Sequence, residues 1–400
     1  MKQTIVYRLN PNFEQERHLH NLCSIATKLY NTDNYMRREA WEKIGKIPSV
    51  YVQKKVLKDN VWFKLLPSQT AQEVCFVLQQ NYKSWFSLRK KDATANPPMF
   101  RRKDKLSPIA FYQQFKVVDG TIRLSMSRKY SQENKIKFLQ IPFIKWKSET
   151  GIAKFCQIIF DNGKWFAHLV FEISESQPVL NDGVMAVDLG IIKNAVTVDT
   201  AGRSRIYSGG QILAIQHYFN KEKAKLQSVL QKQFPKRHLS RALRILQDKQ
   251  NKQINQSLHT YSKAIVNDCL NHHIRTLVVG DIKDIRKDKN FGSVGNQKLH
   301  SWSFSKFTQQ LEYKCVRVGI RFVRVNEAYT SQTCSVCGIV KKSNRKHRGL
   351  YVCKSCGSIL NADVNGASNI LKKYLRDFLS KSIGVVAMPS VARITNVCPS

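Results

Sequence analysis

Two short cysteine pairs, CSVC at 334–337 and CKSC at 353–356, stand fifteen residues apart. Each pair can turn two thiolates onto one ion, and four thiolates satisfy tetrahedral zinc. A glycine follows each pair, Gly338 and Gly357, as a tight knuckle turn requires. Cys334, Cys337, Cys353 and Cys356 are therefore expected to hold a structural Zn2+ with no position left for water. The other six cysteines, at 23, 75, 156, 269, 315 and 398, are scattered singly and read as small buried hydrophobes. The basic run KKSNRKHR (341–348) between the pairs would set a phosphate-binding finger beside the ion.

A second chemistry is open to carboxylates. Asp188 lies in AVDLG, where the glycine after it lets backbone approach a ligand closely. Asp363 lies in NADVNGASNI at the start of a helical pattern, where a negative charge suits the helix dipole. Carboxylates converging from separate elements can hold two Mg2+ about 3.5–4 Å apart, one to activate water and one to stabilise a leaving oxygen. Two or three carboxylates are enough, because Mg2+ keeps part of its water. An aspartate at a strand end or helix start is common; both together, in the topology derived below, are not. The histidines, His272 and His273 included, have no partner at ligand spacing and read as packing or surface residues. No GxxxxGK[ST] loop is present, so ATP-driven chemistry has no support.

Composition narrows the partner. Lys and Arg number 66 against 28 Asp and Glu, a net charge of +38 over 400 residues. Such an excess repels itself unless a polyanion neutralises it, and nucleic acid is the natural polyanion. The basic residues run along the whole chain and not on one amphipathic helix, which argues against a membrane surface. No signal segment and no run long enough to span a bilayer is visible, so a cytoplasmic protein with reduced cysteines is expected.

The elements that must position these residues follow from periodicity. KQTIVYRL (2–9) alternates as a strand, and a helix follows in which Leu19, Leu22, Cys23, Ala26, Leu29 and Tyr30 share a face. A second helix begins at PSQTAQEV, where Ser68 or Thr70 could cap it and Thr70 with Glu73 is spaced as a capping box. RKKDATANPPMFRRKDK (89–105) reads as a basic loop. Strands flank Asp119-Gly120 and Asp161-Asn162-Gly163, both hairpin signals. These suggest a small antiparallel barrel or sheet joined by the first strand. After a boundary near 174–183 come three meandering strands, a long basic helical stretch (211–273), the strand TLVVGDI, a helix in 301–319, the strand IRFVRVNEAY and a last helix beginning at VNGASNI. Three meandering strands, then helix, strand, helix, strand, helix, is the order of an RNase H-like fold. The stretch after about 382 has no clear period and is expected to be disordered.

The motifs LNPNFEQERHLHNLCSIATKLYN, LPSQTAQEV, GVMAVDLGIIKNAVTVD, AYTSQTCSVCG and ADVNGASNI resemble those of TnpB, the OrfB protein of insertion sequences, a family related to type V CRISPR effectors. The likeness covers most of the chain. It implies an α+β multidomain fold: a wedge-type antiparallel β-barrel (1–10 and 106–178) with an inserted helical recognition domain (11–105), then an RNase H-like (RuvC) nuclease domain (179–327 and 361–382) carrying an inserted zinc ribbon (328–360), with a tail at 383–400. It implies a transposon-encoded, RNA-guided DNA endonuclease that takes a guide RNA derived from the transposon end, reads a short motif beside its double-stranded DNA target and leaves the rest to RNA–DNA pairing. A monomer is the expected state. Asp188 then matches the first RuvC aspartate and Asp363 the aspartate of the third motif, both as Mg2+ ligands. The family's final motif often reads D-R-D-x-N, and here Asn361 takes its first position.

One departure bears on activity. After the TLVV strand the family usually has Glu-Asp-Leu, and this chain has Gly280-Asp281-Ile282. Asp281 is a poor replacement, because successive strand residues point to opposite faces. Glu327, at the end of the next strand, is the better candidate: two strand spacings are about 10 Å, a glutamate with a metal–oxygen bond spans much of that, and Gly280 would leave the path clear. The bland alternative is an ion pair of Glu327 with a neighbour such as Arg324. Asp188, Glu327 and Asp363 are therefore expected to form the metal site of an active enzyme. The competing reading is a cleavage-deficient, RNA-guided DNA-binding protein acting as repressor or transposon accessory.

Overall fold

A computed structural model of the chain describes residues 2–145, 151–172, 177–178, 182–235, 238–281, 292–347, 349–378 and 390–392. The chain divides into two compact units, Met1–Ser174 and Glu175–Ser400.

The first unit runs β1 (Lys2–Leu9), α1 (Phe13–Ile44), α2 (Val50–Leu57), α3 (Val61–Leu65), α4 (Ser68–Arg89), β2 (Ile109–Phe111), β3 (Phe115–Val118), β4 (Thr121–Ser125), α5 (Arg128–Asn134), β5 (Phe138–Ile144), β6 (Ala153–Asp161) and β7 (Lys164–Glu172). The strands form one curled antiparallel sheet in the order β2-β6-β7-β1-β5-β4-β3. Strand β1 alternates buried Ile5, Tyr7 and Leu9 with outward residues, and it pairs with β7 along most of its length and with β5 at its end. The two hairpin signals fold as read: Asp119 and Gly120, and Asn162 and Gly163, all take positive φ, the backbone of type I′ turns. The apolar faces of α1 and α4 share one core with the sheet. Helix α1 starts on a complete capping box, Asn12 with Gln15. The box expected at Thr70 and Glu73 does not form. Helix α4 starts two residues earlier, behind Pro67, and the buried Thr70 hydroxyl donates to the Ala110 carbonyl instead. A long-range bond to a strand carbonyl outcompetes a local cap there.

The second unit runs β8 (Gly183–Leu189), β9 (Lys193–Asp199), β10 (Ser204–Ser208), α6 (Gly210–Gln233), α7 (Arg241–Asn271), β11 (Ile274–Asp281), α8 (Gly292–Ser301), α9 (Phe304–Arg317), β12 (Arg321–Asn326), β13 (Arg345–His347), β14 (Leu350–Val352), β15 (Ile359–Leu360), α10 (Ala362–Phe378) and β16 (Ser390–Ala392). Its main sheet has the order β12-β11-β8-β9-β10-β16. Strands β8, β9 and β10 are antiparallel neighbours, and β11 and β12 add in parallel on the β8 side. The basic stretch expected as one helical region is two helices, α6 and α7. The expectation of a structureless tail after 382 is corrected at Ser390–Ala392, which pairs in parallel with β10; three residues are too few to give a periodic signal. The rest of that tail lies outside the described residues, as do Ile282 and the basic run after it.

Two cores cover the two faces of this sheet, and their composition follows the strand period of two. Met185, Val187 and Leu189 of β8 and Leu277 and Val279 of β11 pack towards α7 and α9. Val184 and Ala186 of β8, Val278 of β11 and Val325 of β12 pack against Ile370, Leu371 and Tyr374 of α10. The same alternation carries Asp188, Gly280 and Glu327 to the α10 face, and Asp281 to the other.

Candidate metal centres and nuclease site

The thiol cluster is compact. The sulfurs of Cys334, Cys337, Cys353 and Cys356 all lie within 4.8 Å of one another. Cys334 Sγ is 3.8 Å from Cys356 Sγ, and Cys337 Sγ is 3.6 Å from Cys353 Sγ. Two Zn–S bonds of about 2.3 Å at a tetrahedral angle put sulfurs about 3.8 Å apart, so the donor set fits one Zn2+. The two knuckles are built alike. Gly338 N donates to the Cys334 carbonyl and Gly357 N to the Cys353 carbonyl, each at 2.9 Å, and both glycines sit at positive φ. The strands β13, β14 and β15 form a small sheet beside the thiols.

Helix α10 fastens to the first knuckle through side chains. Asn365 accepts from Ser335 N and donates to the Thr333 carbonyl, both at 2.8 Å. Asn369 donates to the carbonyls of Thr330 (2.9 Å) and Thr333 (2.7 Å), and Lys372 donates to the carbonyl of Ser335.

The carboxylates gather along the start of α10. A Cβ built on Gly366 would lie 2.6 Å from Asp188 Oδ2, so the Asp188 carboxylate rests against the helix backbone about one turn from Asp363. A Cβ built on Gly280 would lie 1.8 Å from Oε1 of Glu327 and 2.5 Å from its Cγ and Cδ. The Glu327 side chain therefore crosses β11 and fills the space above Gly280. Its Oε1 is buried with no hydrogen-bond partner. Arg324, the neighbour that could have claimed it, pairs with Glu312 at 2.5 Å instead. Burial, and then the charge of Asp363, pushes the Asp188 carboxyl up to about 7, with Arg345 opposing. Burial, then Asp188 and Asp281, pushes Glu327 up to about 8. Asp281 faces the opposite side of its strand, yet it stands near enough for its charge to be felt. Asp363 is held by two cations, Lys193 Nζ at 2.9 Å from Oδ2 and Arg345 Nη2 at 3.4 Å from Oδ1.

The three carboxylates do not close up like the thiols: their ligand atoms do not all come within 4.8 Å of one another. Two Mg2+ about 3.5–4 Å apart need a wider span of donors than one ion does. One buried carboxylate oxygen is orphaned, and two carboxyls are driven towards protonation first by burial and then by neighbouring carboxylates, while an all-oxygen donor set is the kind Mg2+ takes. In donor type the residues suit that ion. Sequence reasoning missed Lys193 and Gly366, and it placed Arg345 in the basic finger 341–348 without its contact to Asp363. Gly366 carried a signal of its own, a glycine inside a good helical pattern where alanine would be worth about 1 kcal/mol more.

Two family models match the chain: OrfB_IS605, described as "Probable transposase", over residues 168–286, and "Cas12f1-like, TNB domain" over 304–370. These models and the relatives below show the chain to be similar to the TnpB (insertion-sequence OrfB) family. Among TnpB relatives, InsQ of Escherichia coli (strain K12) is 27% identical over 92% of this chain and 91% of its own length, and its name carries the words RNA-guided DNA endonuclease. The CRISPR-associated endodeoxyribonuclease Cas12f1 of Sulfoacidibacillus thermotolerans is 26% identical over 57% of this chain and 55% of its own length. A solved Cas12f1–sgRNA–target DNA complex shares the fold of this chain, with a TM-score of 0.65 over 92% of this chain and 98% of that one at 13% identity. Among the described residues no helix is long and apolar enough to cross a membrane.

Proposed function

We propose that the chain is an RNA-guided DNA endonuclease that cuts double-stranded DNA beside a short target-adjacent motif, through a RuvC-type site of Asp188, Glu327 and Asp363. The observation that carries the reading is the Glu327 side chain lying over Gly280, where it restores a carboxylate to the face shared with Asp188. Bound by these three residues, Mg2+ would supply water activation and charge stabilisation at the phosphate. The protein's own part is to hold the three oxygen donors on one side of α10. Lys193 and Arg345 add positive charge where a phosphodiester would lie. Cys334, Cys337, Cys353 and Cys356 hold a structural Zn2+ that fixes the ribbon against α10. Much of the +38 charge is set against the phosphates of a transposon-derived guide RNA and of target DNA.

A second reading has one observation in its favour, the missing side chain at Gly280: an RNA-guided DNA-binding protein that no longer cuts and acts as repressor or transposon accessory. One experiment separates the two. The protein is expressed with its native flanking DNA, the copurifying RNA is sequenced, and cleavage of the matching target in Mg2+ is measured for wild type, Glu327→Ala and Asp281→Ala, with DNA binding in parallel. Loss of cleavage with retained binding in Glu327→Ala, and substantial activity in Asp281→Ala, support the nuclease. If Glu327→Ala cuts like wild type, the displaced-glutamate site is wrong. If wild type binds and never cuts, the repressor reading holds.

A further inference from the structure

Both oxygens of Asp363 are engaged by side-chain cations, Lys193 on one and Arg345 on the other. Together an ammonium and a guanidinium bring the charge of one Mg2+. Lys193 differs from a swinging surface lysine. Its side chain is 28% exposed and that of Asp363 25%. The loop that delivers it is clamped: a Cβ on Gly190 would lie 2.6 Å from the Lys193 carbonyl oxygen, and one on Gly209 would lie 2.6 Å from the carbonyl oxygens of both Ile191 and Ile192. Gly209 N also donates to the Ile192 carbonyl at 2.8 Å. The turn after β8 therefore aims the first residue of β9 at the start of α10.

We propose that Lys193 is a resident counter-ion that competes with the divalent metal for Asp363. The proposal rests on the reading of Asp363 as a metal ligand. Three carboxylates gathered without an ion repel one another, and a cation built into the fold relieves that repulsion. A divalent ion at Asp363 would sit about 2.1 Å from an oxygen, close against an ammonium that is 2.9 Å from Oδ2. Two like charges at that separation oppose each other, so one must yield. Lysine, a strongly hydrated point charge on a flexible stem, yields more easily than an arginine fork. Lys193 thus raises the metal concentration at which the site fills, while Arg345 keeps Asp363 partnered when Lys193 leaves.

The test is Mn2+ binding to the zinc-loaded full chain without nucleic acid, followed by the electron paramagnetic resonance signal of free Mn2+. Lys193→Met removes the charge and keeps the stem; it should bind Mn2+ roughly five- to tenfold more tightly than wild type, the scale of a partly buried ion pair. Lys193→Arg keeps the charge on a fork that yields less easily and should bind Mn2+ no more tightly than wild type. Lys193→Gln should behave like Lys193→Met and serves if the latter folds poorly. Equal or weaker Mn2+ binding in both neutral variants would overturn the competition and leave Lys193 as a brace between β9 and α10. Asp188→Asn tests the underlying site: if it leaves wild-type Mn2+ binding unchanged, the carboxylates are no metal centre, and the inference falls with that reading.

Discussion

Glu327 and Gly280 form an interlocking pair: the glutamate occupies the volume that any side chain at position 280 would need. Gly280→Ala should push Glu327 off the face it shares with Asp188 and lower guide-dependent cleavage about a hundredfold or more, the scale expected when one metal ligand is lost. Returning the carboxylate to β11 while clearing β12, in Gly280→Glu with Glu327→Ala, should recover activity well above Glu327→Ala alone. Cleavage rates of the four proteins check both statements. A Gly280→Ala enzyme at wild-type speed would show that Glu327 does not act from above that position.

The ribbon's ion can be counted. Purified wild type should carry one zinc per chain by elemental analysis. Cys353→Ser should lose most of it and melt at lower temperature, because binding energy at a four-thiolate site is folding energy. Full zinc with an unchanged melting temperature in that variant would rule out the cluster as the zinc site.

The carboxylates set a pH dependence whose sign follows from their direction of shift. Asp188 and Glu327 are raised to about 7 and about 8 in the fold without metal, from about 4 in an unfolded chain. The folded state then holds more protons, so this contribution to stability is fully present below about pH 4 and is lost as pH rises through 7 to 8. Mg2+ needs the ionised forms. The rise in melting temperature produced by Mg2+ should therefore grow between about pH 6 and pH 8.5, and Glu327→Gln should flatten much of that growth. Thermal melts with and without Mg2+ across this range measure it, and a Mg2+ effect that shrinks with pH would refute the assignment.

Binding of a structured guide RNA should be strongly salt-dependent. With about 6–10 phosphates neutralised, affinity should fall by about a thousandfold between about 50 and about 200 mM KCl. Each lysine neutralised within 221–252 or 341–346 that pairs with a phosphate should reduce the slope of log affinity against log salt by about one. A slope near zero would remove nucleic-acid phosphate as the reason for the +38 charge.

Much of this site was legible in local sequence because its logic is local. Cysteine spacing is a chemical constraint read within four residues. The face of Asp188, Gly280 and Glu327 follows from a period of two, and the Asn162-Gly163 and Asp119-Gly120 turns from backbone φ alone. What stayed hidden depends on residues far apart in the chain. Nothing in the neighbourhood of Lys193 says that it meets Asp363, 170 positions later. Thr70 has the local signature of a cap, but a strand carbonyl at Ala110 offers it a better partner. Strand β16 is too short to show a period and exists because β10 gives it an edge to pair with.

The side-chain bolts between α10 and the first knuckle join two chemistries with opposite tolerances. Cys337 and Cys356 are exposed, and the hydroxyl and backbone N–H of Ser358 pull the Cys356 thiol down to about 6. A thiolate in the open is what peroxide attacks first. Oxidation that frees the zinc would loosen Thr330, Thr333 and Ser335, and with them the grip on Asn365, Asn369 and Lys372 that steadies the helix bearing Asp363. On the proposed nuclease reading, a site that uses no sulfur chemistry inherits the redox sensitivity of its ribbon, and cleavage should fall on oxidation with the carboxylates intact.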